Sequence, residues 1–591
     1  MPVRGPLLLL CAACEASTFG HAESGDTTTL TTVPTSTGTT EPTIPTAAAL
    51  HLGFSQIKQF DFTWTPAPWA SSYQLLERLP GADEYAPLGD AVDGSSVSWT
   101  MPLPLRLGAS YILRACDDPM DCLDSAPVDV TDSMASAVGY FKSTHPDVND
   151  DFGGAIAVSA DGATLVVAAN AEWGGGTGTH ANPADNSTPG AGAVSVFTRS
   201  GADWALQAYL KASNTDANDY FGASLALSPG GETLAVGAKS EASASDDPNN
   251  DDEPGAGAVY VFRRVGDAWA QTAYLKAENP SPDDAFGTSL ALADDGKLLA
   301  VGAESEAGVV PGVATDQLDK SLPGVGAVYL FRRSGDTWSQ TAFLKASNAE
   351  ASKDSFGASV DLSPDGKTLA VGAPNEDSAA AIVNGPQANE DAVDAGAVYV
   401  FVHDGDAWSQ QAYVKGTGNA ASARFGTSVS LDLGGDLLAV GAPGEASDAG
   451  AVYVFQRDAT VWSQTYQVLP ASPDPGDRFG AAVELGLSGT LLAVGAPAES
   501  SPAAGVGGDA TANSASKIGA AYLYKGPVWS QVSYLKPPNP AVALAFGSSL
   551  AFASDGAAVF IGANHEQSNA PGINGDQTIP GSPGSGAVYA Y

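Results

Sequence analysis

The sequence predicts an all-β protein: a seven-bladed β-propeller of four-stranded blades, the last blade closed by an N-terminal strand, preceded by a small β-sandwich. Three observations predict it. A Phe-Gly pair recurs seven times at intervals of 54 to 70 residues. Each interval holds four short strand-like segments in the same order, rich in Val, Tyr, Leu and Phe. The 591 residues include 67 Gly and 39 Pro, which suits one large closed all-β architecture better than three or four ordinary domains.

Composition narrows the function classes. With 26 Lys+Arg against 67 Asp+Glu the formal charge is −41, so the clustered cations of a phosphate-binding surface are lacking and nucleic acid is not expected as a partner. Hydrophobic residues make up 44%, enough for a sizeable core. No apolar run reaches the roughly 18–20 residues of a membrane-spanning helix.

Residues 1–16 read as an export signal: Arg4 precedes the apolar stretch Pro6 to Ala13, which ends in Cys11-Ala12-Ala13-Cys14. The segment resembles a bacterial lipoprotein signal with Cys14 as the lipidated residue, although Cys11 stands where that signal usually has Leu; a simple secretory signal or a mis-assigned start codon are the alternatives. Residues 17–47 are Thr, Ser, Pro and Gly with almost no large apolar side chains, a linker unable to offset its chain entropy by burial. From 48 to 133 alternating segments such as Phe60-Asp61-Phe62-Thr63-Trp64 and Tyr111-Ile112-Leu113-Arg114 predict the sandwich. Cys116 and Cys122 flank a turn-rich loop that a disulfide would close in an oxidising compartment; a metal pair has no second Cys or His pair nearby. Trp64 in an early strand, with Leu105 and Gly108 ahead of Tyr111, resembles a fibronectin type III module, with Leu107 where that family has Pro. The resemblance implies a spacer or adhesion unit.

The repeat spans 135–591. Its markers are Phe152-Gly153, Phe221-Gly222, Phe286-Gly287, Phe356-Gly357, Phe425-Gly426, Phe479-Gly480 and Phe546-Gly547. In the third unit the four segments are Thr288 to Ala293, Leu298 to Gly302, Gly326 to Arg332 and Trp338 to Lys345. The seventh unit stops at its third segment, Gly586 to Tyr591, and Gly139-Tyr140-Phe141-Lys142 occupies the place before Phe152 that Ala208-Tyr209-Leu210-Lys211 occupies before Phe221. An N-terminal strand completing the last blade would close the ring and remove its edge.

The combination of Phe-Gly, Leu-Ala-Val-Gly-Ala-Pro (Leu369 to Pro374, Leu438 to Pro443) and Gly-Ala-Val-Tyr-Val-Phe (Gly396 to Phe401, Gly450 to Phe455) resembles the FG-GAP repeat family, the propeller of integrin α chains and of exported bacterial proteins. The resemblance implies an extracellular binding or adhesion platform, often with Ca²⁺ in the hairpin between the first two strands. Here those hairpins, such as Ser363-Pro364-Asp365-Gly366-Lys367, are Asp-Gly turns without the longer DxDxDG pattern of a calcium loop.

In an antiparallel blade the connections after strands one and three share one face and those after strands two and four the other. The first face has short turns. The second carries long loops after strand two in six units, for example Ala171 to Gly190 and Asn375 to Asp394, with Gly444 to Asp448 the short exception. Long loops on a rigid scaffold make this the candidate binding face. Three features lie on it. A Glu follows the strand-ending Ala by three residues in every unit: Glu172, Glu241, Glu306, Glu376, Glu445, Glu499 and Glu566. These form either a ring of sites for cations or sugar hydroxyls, or a set of turn-fixing acceptors for loop amides. An Asp precedes Phe-Gly by two residues in five units (Asp150, Asp219, Asp284, Asp354, Asp477), either as Ca²⁺ ligands or as turn formers. Trp173, His145, His180 and His565 gather in loops near units one and seven, where they would stack on a glycan or bind a metal if they are more than solvated side chains.

No Gly-x-Ser-x-Gly elbow, His-Glu-x-x-His helix, phosphate loop or Cys nucleophile with a His partner occurs, so an enzyme is not expected. The expectation is an exported, surface-tethered, monomeric adhesion protein engaging an extracellular protein or polysaccharide. A polysaccharide hydrolase or lyase using the unit one/seven cluster, or a purely structural envelope repeat, are the alternatives.

Overall fold

The computed structural model describes residues 47–591 apart from 56, 119–120, 180, 246, 309–310, 314–316, 319, 350–352, 487, 516, 541–543 and 554–557. The export signal, Cys14 and nearly all of the linker therefore lie outside the described residues, as does His180.

The first part of the described chain is two sheets around one core. Leu50–Ser55, Gln59–Trp64 and Ser96–Thr100 form one sheet; Ser72–Arg78, Ser110–Asp118 and Asp121–Asp124, with the short Ala86–Pro87 and Val128–Asp129, form the other. Alternation turns Phe60, Phe62 and Trp64 inward against Tyr73, Leu75, Tyr111 and Leu113, with the Tyr111 ring edge-on to both phenylalanines at 6.0 and 5.0 Å. The Tyr111 hydroxyl donates to Glu77, which Arg106 neutralises at 2.9 Å. Cys116 and Cys122 are register partners of adjacent strands and are joined by a disulfide.

The remainder is a succession of seven antiparallel sheets, each built on four strands paired in order, with a fifth strand added in the sixth. The third is typical: Phe286–Leu292, Leu298–Ala303, Ala327–Ser334 and Thr337–Leu344. The second strand is buried along its whole length, because its sheet is covered on both faces by neighbouring sheets, and so it reads Leu-Leu-Ala-Val-Gly-Ala without polar alternation. The fourth strand is outermost and alternates between exposed and covered positions. A Trp stands at or near its start in the first six sheets, and four of these pack down: Trp269, Trp408, Trp462 and Trp529 are buried, and the guanidinium of Arg457 lies 5.3 Å over the Trp462 ring. The first strand of each sheet packs on that of the next, and Phe546–Phe552 of the seventh packs on Phe152–Val158 of the first. The seventh sheet takes its fourth strand from Gly139–Phe141, which pairs with Ala587–Ala590. One element has no precedent in the repeat: Gly505–Val506, within the sixth long loop, adds a fifth strand beside Ser530–Lys536, and the Val506 amide donates to the carbonyl of Ser133. This fastens the N-terminal module to the sixth sheet.

The Phe-Gly marker is a joint between sheets. Phe356 packs edge-on against Tyr399 and Phe401 of its own sheet, while Gly357, at φ +92°, lies where a Cβ would stand 2.5 Å from the carbonyl oxygen of Ala327 in the preceding sheet. Gly326 meets the backbone of Phe356 from the other side, in an isolated parallel bridge. Left-handed backbone and lack of space both exclude a side chain. Gly357→Ala should lower stability by about 2–4 kcal/mol, read as a fall in the urea midpoint; an unchanged midpoint would mean that the joint can slide apart.

Candidate functional site

The long-loop face is organised around the seven glutamates. In every sheet the Glu backbone carbonyl accepts from the amide of the Gly that opens the third strand, from Gly192 to Glu172 in the first sheet through Gly586 to Glu566 in the seventh. Each long loop is thus pinched at its neck. The Glu side chain turns inward. Glu172, Glu241, Glu306, Glu376, Glu499 and Glu566 are all at most 4% exposed, and each meets a buried Lys from the end of its own sheet's fourth strand. The pairs are Lys211–Glu172, Lys276–Glu241, Lys345–Glu306, Lys415–Glu376, Lys536–Glu499 and Lys142–Glu566, at 2.5 to 3.0 Å. Burial drives each of these lysines below the usual ammonium range, and the facing Glu holds it back.

The remaining valences are filled, as low-dielectric surroundings require. The second oxygen or the same one accepts a loop amide: Gly174 for Glu172, Ser243 for Glu241, Ser378 for Glu376, Ser501 for Glu499 and Ser568 for Glu566. Lys276, Lys345, Lys536 and Lys142 also donate to the carbonyl of the third strand's first Gly. Between sheets, Asn214 donates to Glu241, Asn279 to Glu306 and Asn348 to Glu376, so that the chain leaving one Lys tethers the next Glu three residues later. These glutamates therefore act on their own loops and lysines and do not present an open carboxylate ring. The lysines were legible as a repeated letter in the fourth segment, but the contact joins residues 39 apart in the first, third and fourth sheets, and no local pattern announces it.

The fifth sheet keeps the bond from the Gly450 amide to the Glu445 carbonyl but lacks the long loop and the lysine. Its connection is the short Glu445–Asp448 turn, with Ala446, Ser447 and Asp448 all at positive φ, and the Lys position is Leu469, 49% exposed. Glu445 accepts from Tyr453 and Gln467 instead, at 2.7 and 2.9 Å, and burial lifts its carboxyl above the usual range.

The aspartates before Phe-Gly are buried beside the glutamates. Asp150, Asp219, Asp284 and Asp477 each accept the amide of the residue three positions earlier, and Asp354 is also buried. Burial is the main cause that pushes Asp150 and Asp219 up to about 7 and Asp284 and Asp477 up to about 6; Glu172, Glu241, Glu306 and Glu499 respectively add to it. In the third sheet Lys320 bridges Asp284 and Glu306 at 3.2 and 3.0 Å. Among the described residues no group of three or more His, Cys, Asp and Glu gathers as a metal site. His145 and His565 are exposed, Trp173 is 47% exposed, and among the described residues no hydrogen bond or ring contact joins the three. His565 draws down the carboxyl of Asp151 that burial raises.

The FG-GAP repeat family model matches residues 204–262, 338–401 and 408–455, stretches that each run from the fourth strand of one sheet through the third strand of the next, from the first sheet into the second, the third into the fourth and the fourth into the fifth. No curated protein matches the chain. Similar solved structures include the WD40 repeats of RRP9, at 10% identity over 76% of this chain and 96% of that one, with a TM-score of 0.42. The β-propeller domain of the Trilobed protease from Pyrococcus furiosus is similar at 12% identity over 69% and 87%, TM-score 0.35. An oligogalacturonate lyase in complex with manganese is similar at 12% identity over 77% and 90%, TM-score 0.36.

Proposed function

We propose that the protein is an exported, surface-tethered binding or adhesion protein. In this reading Cys14 and the linker anchor a fibronectin type III-like sandwich, which holds a seven-bladed propeller whose long-loop face engages an extracellular protein or polysaccharide. Seven successive sheets, six of four strands and the sixth of five, and the N-terminal strand beside Ala587–Ala590 support the blade count; two sheets around Phe60, Phe62 and Tyr111 support the sandwich.

The observation that carries the binding reading is what the pinched loops expose. Leu318 is 82% exposed, Ile382 61%, Val393 58%, Trp173 47% and Ile579 47%, all in connections after second strands. Apolar side chains held at the rim of rigidly based loops are a feature of interaction surfaces. The buried Lys–Glu clamps spare the loop bases from having to order on binding, which lowers the entropy to be lost. A glycan array and an extracellular-protein panel probed with the full-length chain, with thermal melting in the presence and absence of EDTA, test the reading. Binding that Trp173→Ala or Ile382→Ser weakens about tenfold supports it. Retention of the full chain in the cytosol on fractionation overturns it. A melting temperature lowered by EDTA would add a cation to the loops.

A further inference from the structure

We infer that the outer edge of the fifth sheet, at Gln467, Val468 and Leu469, docks an extended segment of a partner protein in which Gly is followed by Val, Ile or Thr. The segment joins the sheet as an antiparallel fifth strand. This edge belongs to the outermost strand, so the inference is separate from the loop-rim surface proposed above.

The chain makes this contact on its own sheets. In the third, the long loop returns to the fourth strand, where the carbonyl of Gly312 accepts the amide of Lys345 at 2.8 Å and Val313 bridges Leu344. In the seventh, Gly572 accepts the amide of Lys142 at 3.0 Å, Ile573 bridges Phe141, and the Asn574 amide donates to the carbonyl of Tyr140 at 2.8 Å. In the sixth, the contact lengthens into Gly505–Val506 beside Leu535 and Lys536, and the Gly507 amide donates to Tyr534 at 2.8 Å. In the first, Gly178, which precedes Thr179, accepts the amide of Lys211 at 2.8 Å. These four glycines have φ between +69° and +81°, the left-handed backbone that favours Gly. In the fourth sheet Asn384 takes the place instead, its amide donating to the carbonyl of Tyr413 and its Oδ1 accepting the Tyr413 amide. Five sheets thus cover this end of their outer edge with their own long loop.

The fifth sheet has only the four-residue Glu445–Asp448 turn in place of that loop. Gln467 stands opposite Tyr453 as Tyr413 stands opposite Tyr399 and Phe343 opposite Tyr329, so by register the amides of Gln467 and Leu469 point outward. Among the described residues neither amide has an acceptor, and the Leu469 carbonyl takes only the Tyr524 hydroxyl, at 3.2 Å. Tyr466 is 37% exposed, and Gln467 is exposed where Tyr140, Phe343, Tyr413 and Tyr534 are buried. The second sheet also lacks the pairing among its described residues, but its loop covers the strand: the Ser243 hydroxyl bonds that of Tyr274, and Lys276 is buried.

An open edge of this kind is a template for an added strand, whose backbone bonds supply affinity and whose side chains supply selectivity. The four docked loop segments specify the occupant. Its Gly carbonyl accepts the Leu469 amide, its β-branched residue lies opposite Val468, and the amide after that donates to the carbonyl of Gln467. A second copy pairing through the same edge is disfavoured, because Val461–Val468 contains no Gly and each chain has formal charge −41.

The test uses the full-length chain and a capped, fluorescein-labelled peptide Ala-Pro-Gly-Ile-Asn-Gly, the sequence of residues 570–575. Fluorescence anisotropy should show one-to-one binding, and hydrogen exchange at Gln467 and Leu469 should slow at least about tenfold. N-methylation of the peptide's Asn amide removes the donor to Gln467 and should weaken binding at least about tenfold. Leu469→Pro removes an outward amide without breaking a bond of the sheet, so it should weaken the parent peptide similarly at an unchanged melting temperature. If that variant fails to fold, the N-methylated peptide on the wild-type chain decides. No binding at millimolar peptide, equal affinity of the N-methylated form, or protection confined to other strands would each overturn the inference. So would protection of Gln467 and Leu469 in the free chain, which would assign the edge to residues 1–46 if the chain is monomeric and to a second copy if it is dimeric.

Discussion

Lys276→Met should destabilise the protein by about 3–5 kcal/mol, the penalty of leaving a buried carboxylate without its counter-charge. Lys276 bonds Glu241 and the carbonyl of Gly257, so the substitution also opens the loop neck, and increased proteolysis within Lys239 to Pro254 should accompany the fall in urea midpoint. The double variant Glu241→Gln/Lys276→Met should recover much of the loss, because no charge is then stranded. In the fifth sheet the opposite change is small: Leu469→Lys places an ammonium on an exposed stem near the partly buried Glu445 and should stabilise by less than about 1 kcal/mol. Equal effects at Lys276 and Leu469 would show that burial is not what gives these pairs their weight.

The second large effect is on pH dependence. Asp150 and Asp219 at about 7, and Asp284 and Asp477 at about 6, titrate well above the unfolded value of about 4. The folded form therefore binds more protons than the unfolded one between these values. Their stabilising contribution is complete below about pH 4 and is lost as pH rises through 6 and 7, at about 1.4 kcal/mol per pH unit for each proton involved. The melting temperature should fall between about pH 5 and pH 8, the reverse of a protein held by exposed salt bridges. Self-repulsion of a chain with formal charge −41 has the same sign, so the decisive comparison is Asp150→Asn/Asp219→Asn. That variant should flatten the profile; an unaltered slope would assign it to net charge.

The strands were legible in the sequence because repetition and alternation are local. Gly139–Phe141 could be matched to the vacant fourth position of the last unit by its resemblance to Ala208-Tyr209-Leu210. The loop-face chemistry was legible only in part. Seven recurring glutamates and five recurring aspartates stood out, and their turn-forming bonds follow from Asp and Glu chemistry, but the partner that gives the glutamates their depth is the Lys of another strand. A comparison within the chain carries that signal: the one unit lacking the Lys, with Leu469 in its place, also lacks the long loop. Asp361 and Glu484, the acidic residues on the first strands of the fourth and sixth sheets, were hidden for a different reason. Asp361 alternates with Ser359 in a four-residue strand and Glu484 is the single polar residue of its own, and what brings them near one another is the packing of successive inner strands. Trp173, His145 and His565 were grouped by loop proximity alone, and in the structure each keeps to its own surroundings.

The fastening of Gly139–Phe141 to Ala587–Ala590, reinforced by the Lys142–Glu566 pair 424 residues apart, has a consequence for biogenesis. Six sheets can form as the chain emerges, each from contiguous sequence, but the seventh has to wait until residues 587–590 are made and can pair with 139–141. Until then the first sheet presents an uncovered inner strand and residues 139–141 have no partner. The step that locks the ring is thus the contact of greatest sequence separation, the kind that closes late and leaves edges open until it does.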